Sequence, residues 1–161
     1  MNKTINDIMS NAEGRYVTKA EQQQIKEYAA SLEARFAAAA DIESKEKEII
    51  DATTADVMRA FPDVTKKYKD PESKSQEDLS LTLRYCTMAM IKDDQQFLDD
   101  ALLSWFKTIL SGLGFSGQFI KESYGALTEN TKQRVDAQTW ELLEPFLGRV
   151  ADGLSPLREV A

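Results

Sequence analysis

The chain has 161 residues, 20 Lys plus Arg against 27 Asp plus Glu, no histidine and a single cysteine, Cys86. That length suits one domain with its own core, and a formal charge of −7 argues against a nucleic-acid binder, whose phosphate contacts need a basic face. Without histidine there is no Ser-His-Asp or Cys-His nucleophile, no histidine-ligated zinc and no proximal-histidine haem.

One cysteine makes no internal disulfide and fits a reducing compartment. The opening MNKTINDIMSNAEG lacks the apolar run of a signal peptide. No stretch approaches the ~18 apolar residues of a membrane span. The expectation is a soluble, acidic, intracellular domain.

The elements follow as helix after helix. Residues 2–15 carry Ile5, Ile8, Met9 and Ala12 as an amphipathic stripe that breaks at Gly14. Residues 18–40 open with Thr18 and Glu21, a capping box. Ile25, Tyr28, Ala29, Leu32, Phe36 and Ala39 then share one face. Residues 42–60 continue the pattern with Ile42, Ile49, Ile50, Val57 and Met58, and Glu43 to Glu48 form a solvated charged side. Phe61-Pro62 ends that helix, because the residue before proline leaves the helical region.

Residues 62–77, PDVTKKYKDPESKSQE, read as a charged loop with two prolines and no apolar period. Lys66, Lys67 and Lys69 give it a small positive patch. In 76–92, Leu79, Leu83, Cys86 and Met90 form a core stripe, with Leu81, Tyr85, Met88 and Ile91 beside it. Residues 95–113 form a broadly apolar helix, with Asp93 and Asp94 before it and Gly112 and Gly114 as C-terminal caps. Two shorter helices, 117–127 and 137–153, complete the chain, the last with Pro145 inside. The fold class is all-α: several unequal helices in one globular domain over 1–161. Residues 1–16 form an extra N-terminal element suited to binding a partner.

The chemistry-bearing residues read blandly on their own. Cys86 sits on an apolar stripe, where a thiolate is disfavoured. Asp93, Asp94, Asp99 and Asp100 lack the ligand spacing of a calcium loop and read as capping and solvated residues, so no metal site is expected. No carboxylate pair or nucleophile–base spacing supports catalysis, so no catalytic residue is expected.

Residues 77–115, EDLSLTLRYCTMAMIKDDQQFLDDALLSWFKTILSGLGF, resemble the central helices of the phycobiliproteins, the β-type allophycocyanin subunits especially. Asp78, Leu83, Arg84, Tyr85, Ala89, Asp94, Leu98, Leu110, Leu113 and Gly114 stand at matching places. Gly14-Arg15-Tyr16, Leu32, Arg35 and Ala38-Ala39 agree more loosely. The resemblance implies a globin-like phycobiliprotein fold with an N-terminal helical pair that clamps a partner subunit.

The departures bear on function. The family's bilin-attachment cysteine falls at Ser75, whose hydroxyl is a far weaker nucleophile than a thiolate. Cys86 is eleven residues on, about three helical turns, and cannot replace it. The arginine that meets a bilin propionate falls at Glu77, a reversed charge. The aspartate on the pyrrole nitrogens is retained as Asp78, while the next Asp and two Tyr become Ser80, Leu81 and Thr82. The loop glycines are absent from residues 69–72. In the clamp, the aspartate that pairs with the partner's arginine falls at Asn11, while Arg84 and Tyr16 remain.

The resemblance therefore implies a member without covalent pigment. Its expected role is protein–protein interaction in assembly, linkage or regulation of the phycobilisome, in the cytoplasm or at the cytoplasmic face of the thylakoid. The expected partner is a phycobilisome or photosystem-associated subunit, or a second copy through the N-terminal helices, with Asn11, Tyr16 and Arg84 at the contact. The alternative is a noncovalent binder of a bilin, phycocyanobilin-type, or other tetrapyrrole through Asp78, Arg84 and Tyr85. An enzyme and a generic globin-like sensor stand behind these.

Overall fold

A computed structural model describes residues 2–67 and 69–154. Tyr68 of the expected loop, Met1 and residues 155–161 lie outside the described residues. The order is α1 (Lys3–Asn11), α2 (Lys19–Ala60), α3 (Pro62–Lys67), α4 (Pro71–Lys92), α5 (Gln96–Leu98), a π-helical turn (Asp99–Leu103), α6 (Ser104–Gly112), α7 (Gly117–Lys132) and α8 (Ala137–Leu154). Among the described residues there is no strand, as the apolar periods imply.

α2 joins the two segments 18–40 and 42–60 into one helix of 42 residues. Nothing between them breaks it, since residues 36–42 are Phe, four Ala, Asp and Ile. Its capping box forms as expected: Glu21 N donates to Thr18 Oγ1 at 3.2 Å, and Thr18 N donates to Glu21 Oε2 at 2.8 Å. The Arg15 guanidinium, then the Thr18 amide, hold the Glu21 carboxyl down at about 2.

The charged loop of 62–77 is mostly helix, which corrects the sequence reading. Pro62 and Pro71 each stand at the first position of a helix, where the missing N–H costs nothing and the fixed φ suits helix entry. Asp70, at φ 53°, caps α4 through Ser73 N at 3.4 Å. Asp93 also differs from its expected place. It ends α4 in the left-handed region at φ 51°, and Asp94 alone caps the next helix, through Phe97 N at 3.3 Å. Gly114, at φ 70°, is the glycine that terminates α6; Gly112 is still helical.

The core gathers one face of α4 (Leu79, Leu83, Cys86, Met90) with Leu98, Leu102 and Phe106, and with Leu127, Leu143 and Val150 of α7 and α8. Cys86 is wholly buried, its thiol 3.7 Å from Phe146 O, and burial pushes its pKa well up. The last carbonyls of α4 would be orphaned by helix geometry. Arg35 donates to Met90 O at 2.5 Å, Tyr28 to Ile91 O at 3.0 Å, and Asn2 to Lys92 O at 2.7 Å. Arg35 also pairs with Asp93 at 3.0 Å. These contacts tie α1 and the middle of α2 to the end of α4.

The π turn and α8 meet closely. Arg149 pairs with Asp99 at 2.6 Å, and at Gly153 a Cβ would stand 2.6 Å from Leu103 Cδ1. Leu103 is itself buried and has little room to yield. Gly153→Ala is therefore expected to destabilise by ~1–3 kcal/mol in urea unfolding, with an unchanged m-value.

Candidate functional site

Two places in the fold carry functional chemistry: a cavity beside α4 and an uncovered face along α2.

The cavity has a volume of about 120 Å³ and lies between α3, α4, α6 and α7. Its wall is chiefly apolar, with Val64, Leu79, Leu110, Phe119 and Ile120, and Ser75 and Asp78 enter it from consecutive turns of α4. Asp78 is half-buried, and this desolvation, with the neighbouring Glu77 charge, raises its carboxyl pKa. The structure thus brings together two of the positions singled out in the sequence. It separates the other two from them. Tyr85 stacks on Phe97, with ring centroids 6.0 Å apart, and Arg84 lies on another face of α4. The cavity is well below the roughly 300–1,000 Å³ of ordinary ligand sites. Cys86 is not among its walls.

The uncovered face follows from the pattern of α2. At 3.6 residues per turn, Ile25, Leu32, Phe36, Ile50, Thr53 and Val57 fall within one sector about 100° wide. Towards the C-terminal end this stripe is buried: Ile50 is 4%, Thr53 0% and Val57 2% exposed. There α4, α7 and α8 pack on it. The α7–α8 corner reaches back as far as Asp41, which accepts from Asp136 N at 3.0 Å. Beyond that point the stripe is less covered: Ile25 and Leu32 are half-buried and Phe36 is 57% exposed. The sequence reading took Ile25 to Ala39 as one core-facing stripe. The buried residues in this half are instead Arg35, Ala38 and Ile42, a third of a turn away.

Met88, 52% exposed, extends the uncovered face onto α4. A groove there is lined by Ala39, Glu43, Lys47, Arg84, Met88 and Ile91. Arg84 is held by a residue the sequence did not single out. Glu46 of α2 takes it bidentately, with Nε at 3.0 and 3.1 Å and Nη2 at 2.5 Å. Only the crossing of α2 and α4 joins two residues 38 apart, so periodicity carried no sign of it. At the N-terminal end Tyr16 is 97% exposed and Asn11 lies on the exposed side of α1. Ile8 and Ala12 fold back onto the chain, leaving Met9 outside at 54%.

The phycobilisome protein family model matches residues 8–154. The chain belongs to the phycobilisome protein family. It is 27% identical over 162 residues to the allophycocyanin beta chain of Synechocystis sp., covering 96% of this chain and all of that one. It is 26% identical over 151 residues to the allophycocyanin beta chain of Thermosynechococcus vestitus, covering 91% and 93% of the two chains. The allophycocyanin beta chain of Anabaena variabilis is similar at 25% over the same length. The phycobilisome protein is thus an allophycocyanin-like, all-α chain of globin-like fold, and its family sets it with the light-harvesting antenna. No described helix is long and apolar enough to cross a membrane. Among the described residues, no cluster of three or more Cys, Asp or Glu could hold a metal ion.

Asp78 yields a pH signature. A carboxyl whose folded pKa is raised lowers stability as pH rises from the unfolded value of about 3.9 through the folded one. Asp78→Asn is expected to raise the melting temperature at pH 7, with the advantage vanishing below pH ~4. Thermal unfolding of the two proteins across pH 3–8 measures it.

Proposed function

We propose that this phycobilisome-family protein carries no covalent pigment and acts by protein–protein contact in the assembly, linkage or regulation of the antenna. It is not an enzyme. It works on the cytoplasmic side of the thylakoid, and its partner chain seats on the upper half of α2 and the adjoining α4. Arg84 and Tyr16 border that contact, and Asn11 lies beside it on α1.

The observation that carries this reading is the half-covered stripe of α2. An apolar row that continues past its own fold, with Phe36 and Met88 more than half exposed, is a surface suited to another protein. The pigment side of the reading is supported by the thiol. The one cysteine is wholly buried and outside the cavity, so no accessible thiolate is available for a thioether. Ser75 stands on the cavity wall where the resemblance puts the attachment residue. Asp78 on the same wall favours a second reading, a noncovalent bilin or related tetrapyrrole held through its carboxylate. The cavity would have to widen severalfold to admit four rings.

Tagged protein recovered from a cyanobacterial lysate is expected to bring down phycobilisome or photosystem-associated chains. Phe36→Asp, at an exposed position, is expected to reduce that capture roughly tenfold or more while leaving the melting temperature within a few degrees. Recovery of no antenna component by the unaltered protein would contradict the reading. Denatured protein is expected to show no visible absorbance band. A band retained only in the native state would favour the noncovalent alternative.

A further inference from the structure

We infer that the cavity beside α4 binds a small organic ammonium: an apolar body of about one ring, bearing a protonated amine held by the Asp78 carboxylate and the Ser75 hydroxyl. This is independent of the docking reading of α2. It sets a one-ring cation where the second reading above sets a tetrapyrrole.

The inference starts from which polar groups of the wall are already satisfied. Ser123 donates to Phe119 O at 2.7 Å. Tyr124 hydrogen-bonds Thr82, and Thr82 donates in turn to the main-chain Asp78 O at 2.9 Å. Ser75 and Asp78 differ. Among the described residues, neither the Ser75 hydroxyl nor the Asp78 carboxylate has a hydrogen-bond partner, and Lys74 forms no ion pair with Asp78. A carboxylate that gives up water without gaining a donor is left uncompensated. Burial first, and then the charge of Glu77, push its pKa up. A cation bound there supplies the missing charge-assisted bond.

The shape of the cavity sets the rest of the ligand. Residues 75 and 78 are neighbours on one face of α4, both only partly buried, so two acceptors lie side by side at the edge. An ammonium group carries three donors and no acceptor, and serves both. Further in, Leu79, Leu110 and Ile120 are buried and apolar. Phe115 and Phe119 stack at 4.8 Å on the same wall. The site is therefore polar at its edge and apolar within. A dry cavity of roughly 150 Å³ admits one benzene ring. The volume of about 120 Å³ suits an apolar body of nearly that size, with the amine at the edge.

The sign of the charge follows from the wall. Lys74 is exposed, and its long stem carries the ammonium into water. Asp78 is short and half-buried, and Glu77 adds a second negative charge beside it. An anion would have to sit against both.

The test is isothermal titration calorimetry of the full chain at pH 7 with three single-ring probes of similar size: benzylamine, benzyl alcohol and benzoate. Benzylamine is expected to bind with a dissociation constant of about 0.1–1 mM, benzyl alcohol about tenfold more weakly, and benzoate not at all. Asp78→Asn, whose folding is checked by its melting temperature, is expected to bring benzylamine down to the level of the alcohol. Methyl NMR shifts at Ile120 and Val64 on adding benzylamine place it in the cavity. Benzoate or the alcohol binding as tightly as benzylamine overturns the inference. So does an Asp78→Asn variant of unchanged affinity, or no binding of any probe. Benzylamine binding by protein without a visible band supports the one-ring cation against the tetrapyrrole. A visible band retained by the native chain, with no benzylamine binding, overturns the inference and favours the tetrapyrrole.

Discussion

A helix of 42 residues rises roughly 63 Å, whereas a compact chain of this size spans on the order of 40 Å. α2 is therefore longer than the body it packs against. Its C-terminal half is covered more fully than its N-terminal half, whose Tyr28 and Arg35 bind the end of α4. The sequence nevertheless continues the apolar stripe into the N-terminal half. Phe36 at the surface follows from that excess of length.

α1 and the N-terminal half of α2 are tied to the end of α4 by hydrogen bonds. Arg35, Tyr28 and Asn2 each supply a donor to a carbonyl at the end of α4, groups that helix geometry leaves unpaired. A buried donor–acceptor pair contributes modestly when made and costs more when one side is removed. These three bonds therefore fix where α1 and α2 lie more than they add to overall stability. The result is a long helix tied to the end of α4, with Phe36 left on its surface. The cavity beside α4 is small, with one half-buried carboxyl, Asp78, on its wall.

The helical class was legible in residue composition and in the 3.6-residue period. The capping box at Thr18 and Glu21 and the burial of Leu79, Leu83, Cys86 and Met90 were legible in the same way. Three things were not. Periodicity identifies an apolar face but not what covers it, so the stripe from Ile25 to Ala39 reads as core although its centre at Phe36 is exposed. Two prolines and many charges read as a loop over 62–77, although proline at a helix's first position is a start signal. The Glu46–Arg84 pair depends on a crossing of two helices and has no local sign. In the candidate site, Ser75 and Asp78 were legible through the family resemblance and do share a cavity wall. Arg84, six residues on from Asp78, falls about 120° round the helix from it, and Tyr85, seven residues on, stands about 10 Å further along the same helix.

The central claim, that the fold leaves one side of the N-terminal half of α2 uncovered around Phe36, is tested most directly by amide hydrogen exchange along α2 in dilute, free protein. The account predicts that residues 19–34 exchange through local opening, orders of magnitude sooner than residues 49–57, which open only with the whole molecule. It further predicts that protection over 25–40 rises when a partner chain is bound. Equal protection along the whole of α2 in the dilute monomer would contradict it.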